Sequence, residues 1–131
     1  MQNHWIKILL VALLLGLGST GCVLFVVGGA AAAGVGTYAY VNGESKETEA
    51  ASLDKTWAAA QATMKEMEFP VITQQKDAFS GELTARNAAD KKITISLKRL
   101  SDHATEVRVR VATFGDEALS RLVIDKIRGR L

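Results

Sequence analysis

KITISLKRLSDHATEVRVRV, at residues 92–111, decides the fold of this chain. In each half of the stretch, every second residue is aliphatic and polar residues stand between. The aliphatic positions are Ile93, Ile95, Leu97, Val107, Val109 and Val111. Ser101, Asp102 and His103 separate the halves and predict a turn. Such alternation is typical of strands with one buried and one solvated side, so the stretch predicts an antiparallel hairpin.

Three more segments predict strands of the same sheet. Residues 71–75 form a short run before the turn residues Lys76-Asp77. Residues 79–86 again alternate apolar and polar side chains. Residues 37–41 alternate aromatic and aliphatic side chains and precede Asn42-Gly43, a common hairpin turn. Together with the hairpin, these segments predict an antiparallel sheet of four to five strands.

Two segments space their apolar residues three and four apart, which is typical of amphipathic helices. The first follows Ser52, a candidate N-cap, and ends before Pro70. The second begins at Thr113, which forms a predicted capping box with Asp116. The apolar residues are Leu53, Trp57, Ala60, Met64, Met67, Leu119, Leu122, Val123 and Ile127. The predicted fold is an α+β two-layer sandwich of order β-α-β-β-β-β-α, with both helices on one face of the sheet.

The composition changes where the folded part begins. From Ile6 to Val41 the only charged residue is Lys7, whereas residues 44–131 are rich in charge. The whole chain has 131 residues and a net charge of +2. Without Lys7 it is nearly neutral, so we expect no nucleic-acid partner. Cys22 is the single cysteine of the sequence, which excludes a disulfide within the chain.

Residues 1–21 have the order of an export signal. His4 and Lys7 supply a short polar or basic region, and residues 8–17 form an apolar run. As a helix this run spans about 15 Å, roughly half of the hydrocarbon core of a bilayer. The length favours a cleaved signal. The alternative is one long membrane helix over residues 5–41, against which the glycines in that range argue.

Ser19-Thr20-Gly21-Cys22 resembles the lipobox of bacterial lipoproteins, although Ser19 stands where that motif usually has leucine. The resemblance implies cleavage between Gly21 and Cys22. It also implies a diacylglyceryl group on the Cys22 sulfur and acylation of the new amino group. Val23 follows the cysteine, with no aspartate to suggest retention in the inner membrane. We therefore expect a lipid-anchored protein at the outer membrane, facing the periplasm.

The segment after the cysteine is rich in glycine and alanine. Gly28, Ala32 and Gly36 are spaced four apart, which permits close helix approach in membranes. One interpretation is a tether on the bilayer that leads into the first strand, which we favour. The other is a second membrane contact or an oligomerising helix. The predicted organisation is a signal at 1–21, a tether at 22–36 and a periplasmic domain at 37–131.

Three segments carry a family resemblance. They are GVGTYAYVNGE at residues 34–44, ASLDKTW at residues 51–57 and TFGDEALSR at residues 113–121. With these segments the chain resembles a family of small bacterial lipoproteins of unknown function, over nearly the whole mature chain. The resemblance implies an envelope location and supports the α+β fold. It implies no activity.

Residues that commonly perform catalysis or bind metals are few. His4 lies in the predicted signal, and His103 lies in a predicted turn beside Asp102, where neighbouring side chains diverge. Ser52-Leu53-Asp54-Lys55 matches the S-x-x-K pattern of penicillin-recognising enzymes, but the sequence lacks their partner motifs. We predict no catalytic residue, no metal site and no cofactor.

Five basic residues are predicted to gather on the solvent face of the sheet. They are Lys92, Lys98, Arg99, Arg108 and Arg110. Such a surface is a candidate for binding anionic lipid or an acidic envelope protein. The alternative, which we favour, is an ordinary solvated face whose charge is diluted by Glu82 and Glu106.

These observations favour a membrane-anchored, non-catalytic envelope lipoprotein with a structural or binding role. Two alternatives stay open. The first is a cell-wall or lipid hydrolase that uses carboxylates such as Asp77, Glu82 and Asp90. The second is a membrane-inserting or oligomerising protein that uses residues 23–41.

Overall fold

The hairpin predicted from residues 92–111 forms the centre of a six-stranded antiparallel sheet. The computed structural model describes residues 36–131, so the predicted signal, the predicted lipidation site Cys22 and the predicted tether up to residue 35 lie outside the described residues. The strands are β1 (Ala39–Val41), β2 (Glu44–Glu49), β3 (Val71–Lys76), β4 (Ser80–Arg86), β5 (Lys92–Ser101) and β6 (Ala104–Val111). The helices are α1 (Leu53–Glu66) and α2 (Glu117–Arg128). The strand order across the sheet is β1-β2-β6-β5-β4-β3.

The α+β fold with two helices is confirmed, but the described sheet has six strands instead of four to five. The additional strand is β2, with the sequence ESKETE. It lacks the alternation of aliphatic and polar residues that identifies the other strands. Pairing with β6 places it in the sheet, where Glu44 lies opposite Arg110 and Glu49 opposite Thr105.

The backbone conformation of residues 36–41 excludes a membrane helix that continues through residue 41. Gly36 has a φ of 76°, outside the right-handed helical region, and its N–H donates to the carbonyl oxygen of Thr48 at 2.8 Å. Strand β1 then pairs with β2. The alternative helix over residues 5–41 is therefore wrong at its C-terminal end.

The core lies between one side of the sheet and the two helices. The alternating aliphatic residues of β5 and β6 point to this side, and none of them is more than 2% exposed. Burying one such side chain contributes about 1.5–3 kcal/mol to stability. The core residues are Leu53, Ala59, Ala60, Met64, Leu83, Ala85, Ile93, Ile95, Leu97, Val107, Val109, Val111, Val123, Ile124 and Ile127.

Helix α1 begins as predicted. The hydroxyl of Ser52, its N-cap, accepts a hydrogen bond from the N–H of Lys55 at 3.2 Å. The helix ends at Glu66, before Pro70, because Glu68 has a φ of 59° that a right-handed helix does not include. The predicted apolar face is confirmed, with Leu53, Ala60 and Met64 buried and Trp57 and Met67 half-buried.

Helix α2 begins later than predicted, and Thr113 is not its cap. Asp116 is the N-cap, and its carboxylate accepts a hydrogen bond from the N–H of Leu119 at 3.1 Å. Leu122, predicted on the apolar face, is 45% exposed. It is turned away from the buried face of α2, whose residues are Ser120, Val123, Ile124 and Ile127.

The side chain of Trp57 on helix α1 lies over Gly81 of strand β4. A Cβ atom added at Gly81 would lie 2.8 Å and 2.9 Å from ring atoms of Trp57. Gly81 is buried on the helix side of β4, opposite Leu97 of β5. The absent side chain at residue 81 therefore makes room for the indole.

We predict that Gly81→Ala lowers the free energy of unfolding by about 1–3 kcal/mol, because the indole must shift out of its packed position. The cost should shrink in a Trp57→Leu background, where the smaller side chain leaves space for the methyl group. Urea unfolding of the single and double variants measures both effects.

Gly129→Ala is the matched control. Gly129 follows α2 with a φ of −61°, and a Cβ there would meet its nearest atoms at 3.5 Å and 3.6 Å, which is ordinary contact. We expect this variant to be as stable as the parent. Equal effects of Gly81→Ala and Gly129→Ala would contradict the proposed close approach.

Candidate functional site

The side of the sheet opposite the helices is polar, and we call it the open face. It is formed by the residues that alternate with the buried ones along each strand. On β2, β4, β5 and β6 these residues are Glu44, Lys46, Thr48, Ser80, Glu82, Thr84, Arg86, Lys92, Thr94, Ser96, Lys98, Glu106, Arg108 and Arg110. Hydroxyl, carboxylate and cationic side chains thus form one continuous surface.

Four of the five basic residues predicted for a binding surface lie on the open face, and Arg99 does not. Arg99 lies opposite Thr105, whose hydroxyl donates to the carbonyl oxygen of Ala51 on the helix side. The guanidinium of Arg99 pairs with Asp102 in the adjoining turn. The prediction is wrong for Arg99, because alternation along a strand places Lys98 and Arg99 on opposite sides. The four on the open face are Lys92, Lys98, Arg108 and Arg110.

Carboxylates compensate two of these cations. Arg108 Nε lies 2.5 Å from one carboxylate oxygen of Glu106, and Lys46 Nζ lies 3.2 Å from the other. Glu44 lies 3.8 Å from Arg108 and 3.7 Å from Arg110. Burial alone would raise the pKa of Glu106, but hydrogen bonds from Arg108 and Lys46 outweigh burial and lower it. The middle of the open face is therefore a network of ion pairs.

Lys92 and Lys98 make no ion pair within the part of the chain that the structure describes. They lie near opposite ends of β5, about 20 Å apart along the strand. The open-face residues of β2, β4, β5 and β6 include six basic and three acidic side chains, whereas residues 36–131 hold fifteen basic and fourteen acidic residues. Positive charge is thus concentrated on this face although the domain is nearly neutral.

The five predicted basic residues line two separate depressions. Each has a volume of about 520 Å³. The first is lined by Phe79, Ser80, Ser96, Leu97, Lys98, Arg99 and Arg108. The second is lined by Arg86, Asp90, Lys91, Lys92, Thr94, Arg110, Ala112 and Thr113. Only the first contains an aromatic side chain, so the two ends of the open face differ in chemistry.

The carboxylates considered for a hydrolase do not gather in one place. Asp77 and Glu82 line a third depression of about 460 Å³, whereas Asp90 lies at the other end of the sheet beside Arg86. Asp77 accepts hydrogen bonds from the N–H groups of Phe79 at 2.7 Å and Ser80 at 2.8 Å. These bonds lower the pKa of Asp77 and close the β3–β4 turn. Its carboxylate is thus occupied by the backbone.

His103 is exposed in the β5–β6 turn, and its backbone N–H donates to Ser101 Oγ at 3.2 Å. Among residues 36–131, no three His, Cys, Asp or Glu side chains are grouped as a metal site. Neither helix in this range is long and apolar enough to cross a membrane.

The least expected titratable groups lie on the helix side of β2. The side chains of Glu47 and Glu49 are 3% and 5% exposed. Arg128, near the end of α2, pairs with both carboxylates, and its Nε lies 3.3 Å from Glu49. Burial raises the pKa of Glu49, and Arg128 partly offsets that effect. The cluster joins α2 to β2. Because β2 contains no aliphatic residues, its sequence has no alternating pattern that would predict the cluster.

We predict that Glu49→Gln raises the free energy of unfolding at pH 7. A carboxyl with a raised pKa binds its proton more tightly in the folded chain than in the unfolded one. At pH values above the pKa of Glu49 in the folded chain, the ionised carboxylate therefore lowers the free energy of unfolding. This loss disappears as the pH falls towards the ordinary pKa of 4.5. Urea unfolding between pH 7 and pH 4.5 should show a gain that shrinks with acidification.

Glu106→Gln is the control of opposite sign. The lowered pKa of Glu106 means that its ionised form stabilises the fold above the ordinary value, a contribution lost as the pH falls through the folded pKa. This variant should lose stability at pH 7, with a smaller loss below pH 4.5. A loss at pH 7 for Glu49→Gln would contradict the assigned role of burial.

Comparison with known families matches residues 5–130 to the family described as "Protein of unknown function (DUF3568)". No curated protein matches the chain significantly. The family match spans every described helix and strand and also the apolar N-terminal segment. It confirms the expected likeness to an uncharacterised family. The chain belongs to the DUF3568 family, whose function is unknown.

Proposed function

We propose that this chain is a non-catalytic lipoprotein of the bacterial envelope, anchored through Cys22. The observation that carries the proposal is the order of polar, apolar and small residues that leads to the single cysteine. The family match begins at residue 5, so this N-terminal segment belongs to the region that the family shares. The domain at residues 37–131 then has a structural or binding role at the membrane.

The start of the described chain supports a tether. Gly36 is exposed and is held to Thr48 by one backbone hydrogen bond at the edge of the sheet. Strand β1, which follows, has three residues. Within the described residues, the buried core residues all lie at Leu53 or later, and Tyr38 is partly buried against them.

The roles of the acidic side chains support a non-catalytic domain. Glu44 and Glu106 compensate cations on the open face, and Asp77 closes a turn. Glu47 and Glu49 hold Arg128 of α2. General acid–base chemistry needs a carboxyl that can exchange its proton with a substrate. These carboxylates already have structural partners.

We place the protein at the outer membrane, facing the periplasm. Val23 follows the cysteine, and the resemblance to lipoproteins without a retention signal carries this part of the proposal. One lipid chain gives marginal attachment, whereas several chains on one residue hold a protein stably.

We predict that the native protein, purified from membranes, begins at Cys22. Mass spectrometry of the intact chain should give the mass of residues 22–131 plus the added acyl groups. Cys22→Ser removes the thiol that carries the diacylglyceryl group, so the variant should keep Met1 and gain no lipid mass.

Thr20→Ala is the matched control, because it preserves a small residue beside the cleavage site. It should be processed and lipidated as the parent is. A native protein that begins at Met1, or that carries a free thiol at Cys22, would overturn the proposal.

A further inference from the structure

One end of the sheet exposes two large apolar side chains. Phe79, between β3 and β4, is 71% exposed, and Leu100, near the end of β5, is 49% exposed. The β5–β6 pairing is irregular between Arg99 and Ser101, so Leu100 lies outside the regular register. An exposed phenylalanine on a domain of this size loses favourable burial, and clustered exposed apolar groups commonly mark contact surfaces. We call this part of the molecule the Phe79 end.

The Phe79 end places cations beside its apolar groups. The N–H of Arg99 donates to the carbonyl oxygen of Phe79 at 2.8 Å, and Lys98 lies opposite Ser80, the next residue. Lys98 and Arg108 line the same depression as Phe79. Apolar and cationic side chains side by side suit the interface of an anionic bilayer, which offers acyl chains beneath phosphate groups.

Three acidic groups near the Phe79 end already have partners, whereas Glu82, two residues after Ser80 on β4, has none among residues 36–131. Asp102 pairs with Arg99, and Asp77 accepts hydrogen bonds from the backbone. Glu106 pairs with Arg108 and Lys46. The ammonium group of Lys98 has no such carboxylate partner among residues 36–131. Lys98 is therefore a cation that this end can offer to an anionic surface.

The described chain begins at the same end of the sheet. Gly36 bonds to Thr48, and Thr48, Glu106, Lys98 and Ser80 are successive partners across β2, β6, β5 and β4. With strands about 4.8 Å apart, Gly36 and the turn that holds Phe79 are separated by roughly 20 Å. Cys22 stands fourteen residues before Gly36, a distance of at most about 50 Å for extended chain.

The other strongly exposed phenylalanine provides a contrast. Phe114 is 92% exposed and follows β6 at the opposite end of the sheet, where its carbonyl group lies against Gly43 of the β1–β2 turn. Because Gly36 lies at the other end of β2, a bilayer near the first described residue would meet Phe79 before Phe114.

We propose that the Phe79 end rests on an anionic bilayer surface. Phe79 and Leu100 enter the interface, while Lys98 meets lipid phosphates. This inference rests on the proposed anchor at Cys22, because a short tether raises the local concentration of the domain at the membrane and makes a weak contact sufficient. The contact sets the orientation of the domain and directs Phe114 away from the lipid.

The test places tryptophan at each end of the full-length protein. Phe79→Trp and Phe114→Trp are purified from native membranes and reconstituted into vesicles of phosphatidylglycerol and acyl-brominated phosphatidylcholine. The signal of the processed parent, whose residues 22–131 contain Trp57 alone, is subtracted. Because an interfacial side chain reaches about 5–10 Å into the boundary of the acyl chains, tryptophan at residue 79 should be quenched about twofold more than tryptophan at residue 114.

Charge variants test the electrostatic part. Lys98→Glu in the Phe79→Trp background should reduce the quenching, whereas Lys65→Glu, an exposed lysine on α1, should not. Vesicles without phosphatidylglycerol should give the same reduction as Lys98→Glu. Unchanged thermal unfolding of each variant verifies that it is folded. Equal quenching at the two ends, or no quenching at residue 79, would overturn the inference.

The mass of the same samples separates the inference from the proposed function. A lipidated Cys22 with no quenching at residue 79 leaves the anchor standing and overturns the membrane contact. Strong quenching at residue 79 in a chain without lipid on Cys22 supports the membrane contact and overturns the proposed anchor.

Discussion

The register between β5 and β6 is the constraint on which the rest of the structure depends. These two strands are the centre of the sheet, and each has neighbours on both sides. A shift of one residue in β6 relative to β5 would turn Val109 towards water and bring Arg110 against the helices. The register therefore sets the side that the helices cover and, at the same time, the side that carries the charge. The open face is a consequence of core packing.

Polar contacts replace apolar packing where α2 meets β2. Glu47 and Glu49 lie on the helix side of β2, and Arg128 contacts both. The hydroxyl of Tyr38 donates to Glu117 of α2 at 3.2 Å, which adds a second polar link at the other end of that helix. Arg128 serves both carboxylates, so removing Arg128 would cost more than the pairs themselves contribute, because two buried negative charges would lose this cation. Strand β2 and helix α2 thus depend on each other for their positions.

The parts of the fold that could be predicted are those where burial shapes the local sequence. The alternation in β5 and β6 and the Ser52 cap needed no tertiary information. Strand β2 could not be predicted, because its inward residues are satisfied by Arg128, far away in the chain. The cap of α2 was misplaced because Thr113 and Asp116 are both good capping residues, and only the path of the chain after β6 selects Asp116.

The candidate site was less predictable, because it too depends on contacts between residues far apart in the chain. Alternation alone separates Lys98 from Arg99, but the compensation of Arg110 requires Glu44, which lies on the strand that the sequence does not reveal. Strand β2 thus determines which cations keep uncompensated charge. Without Glu44, Arg110 would lose its ion pair, whereas Arg108 would keep Glu106. With it, free charge remains on Lys92 and Lys98 near the ends of β5, and Lys98 lines a depression together with the exposed Phe79.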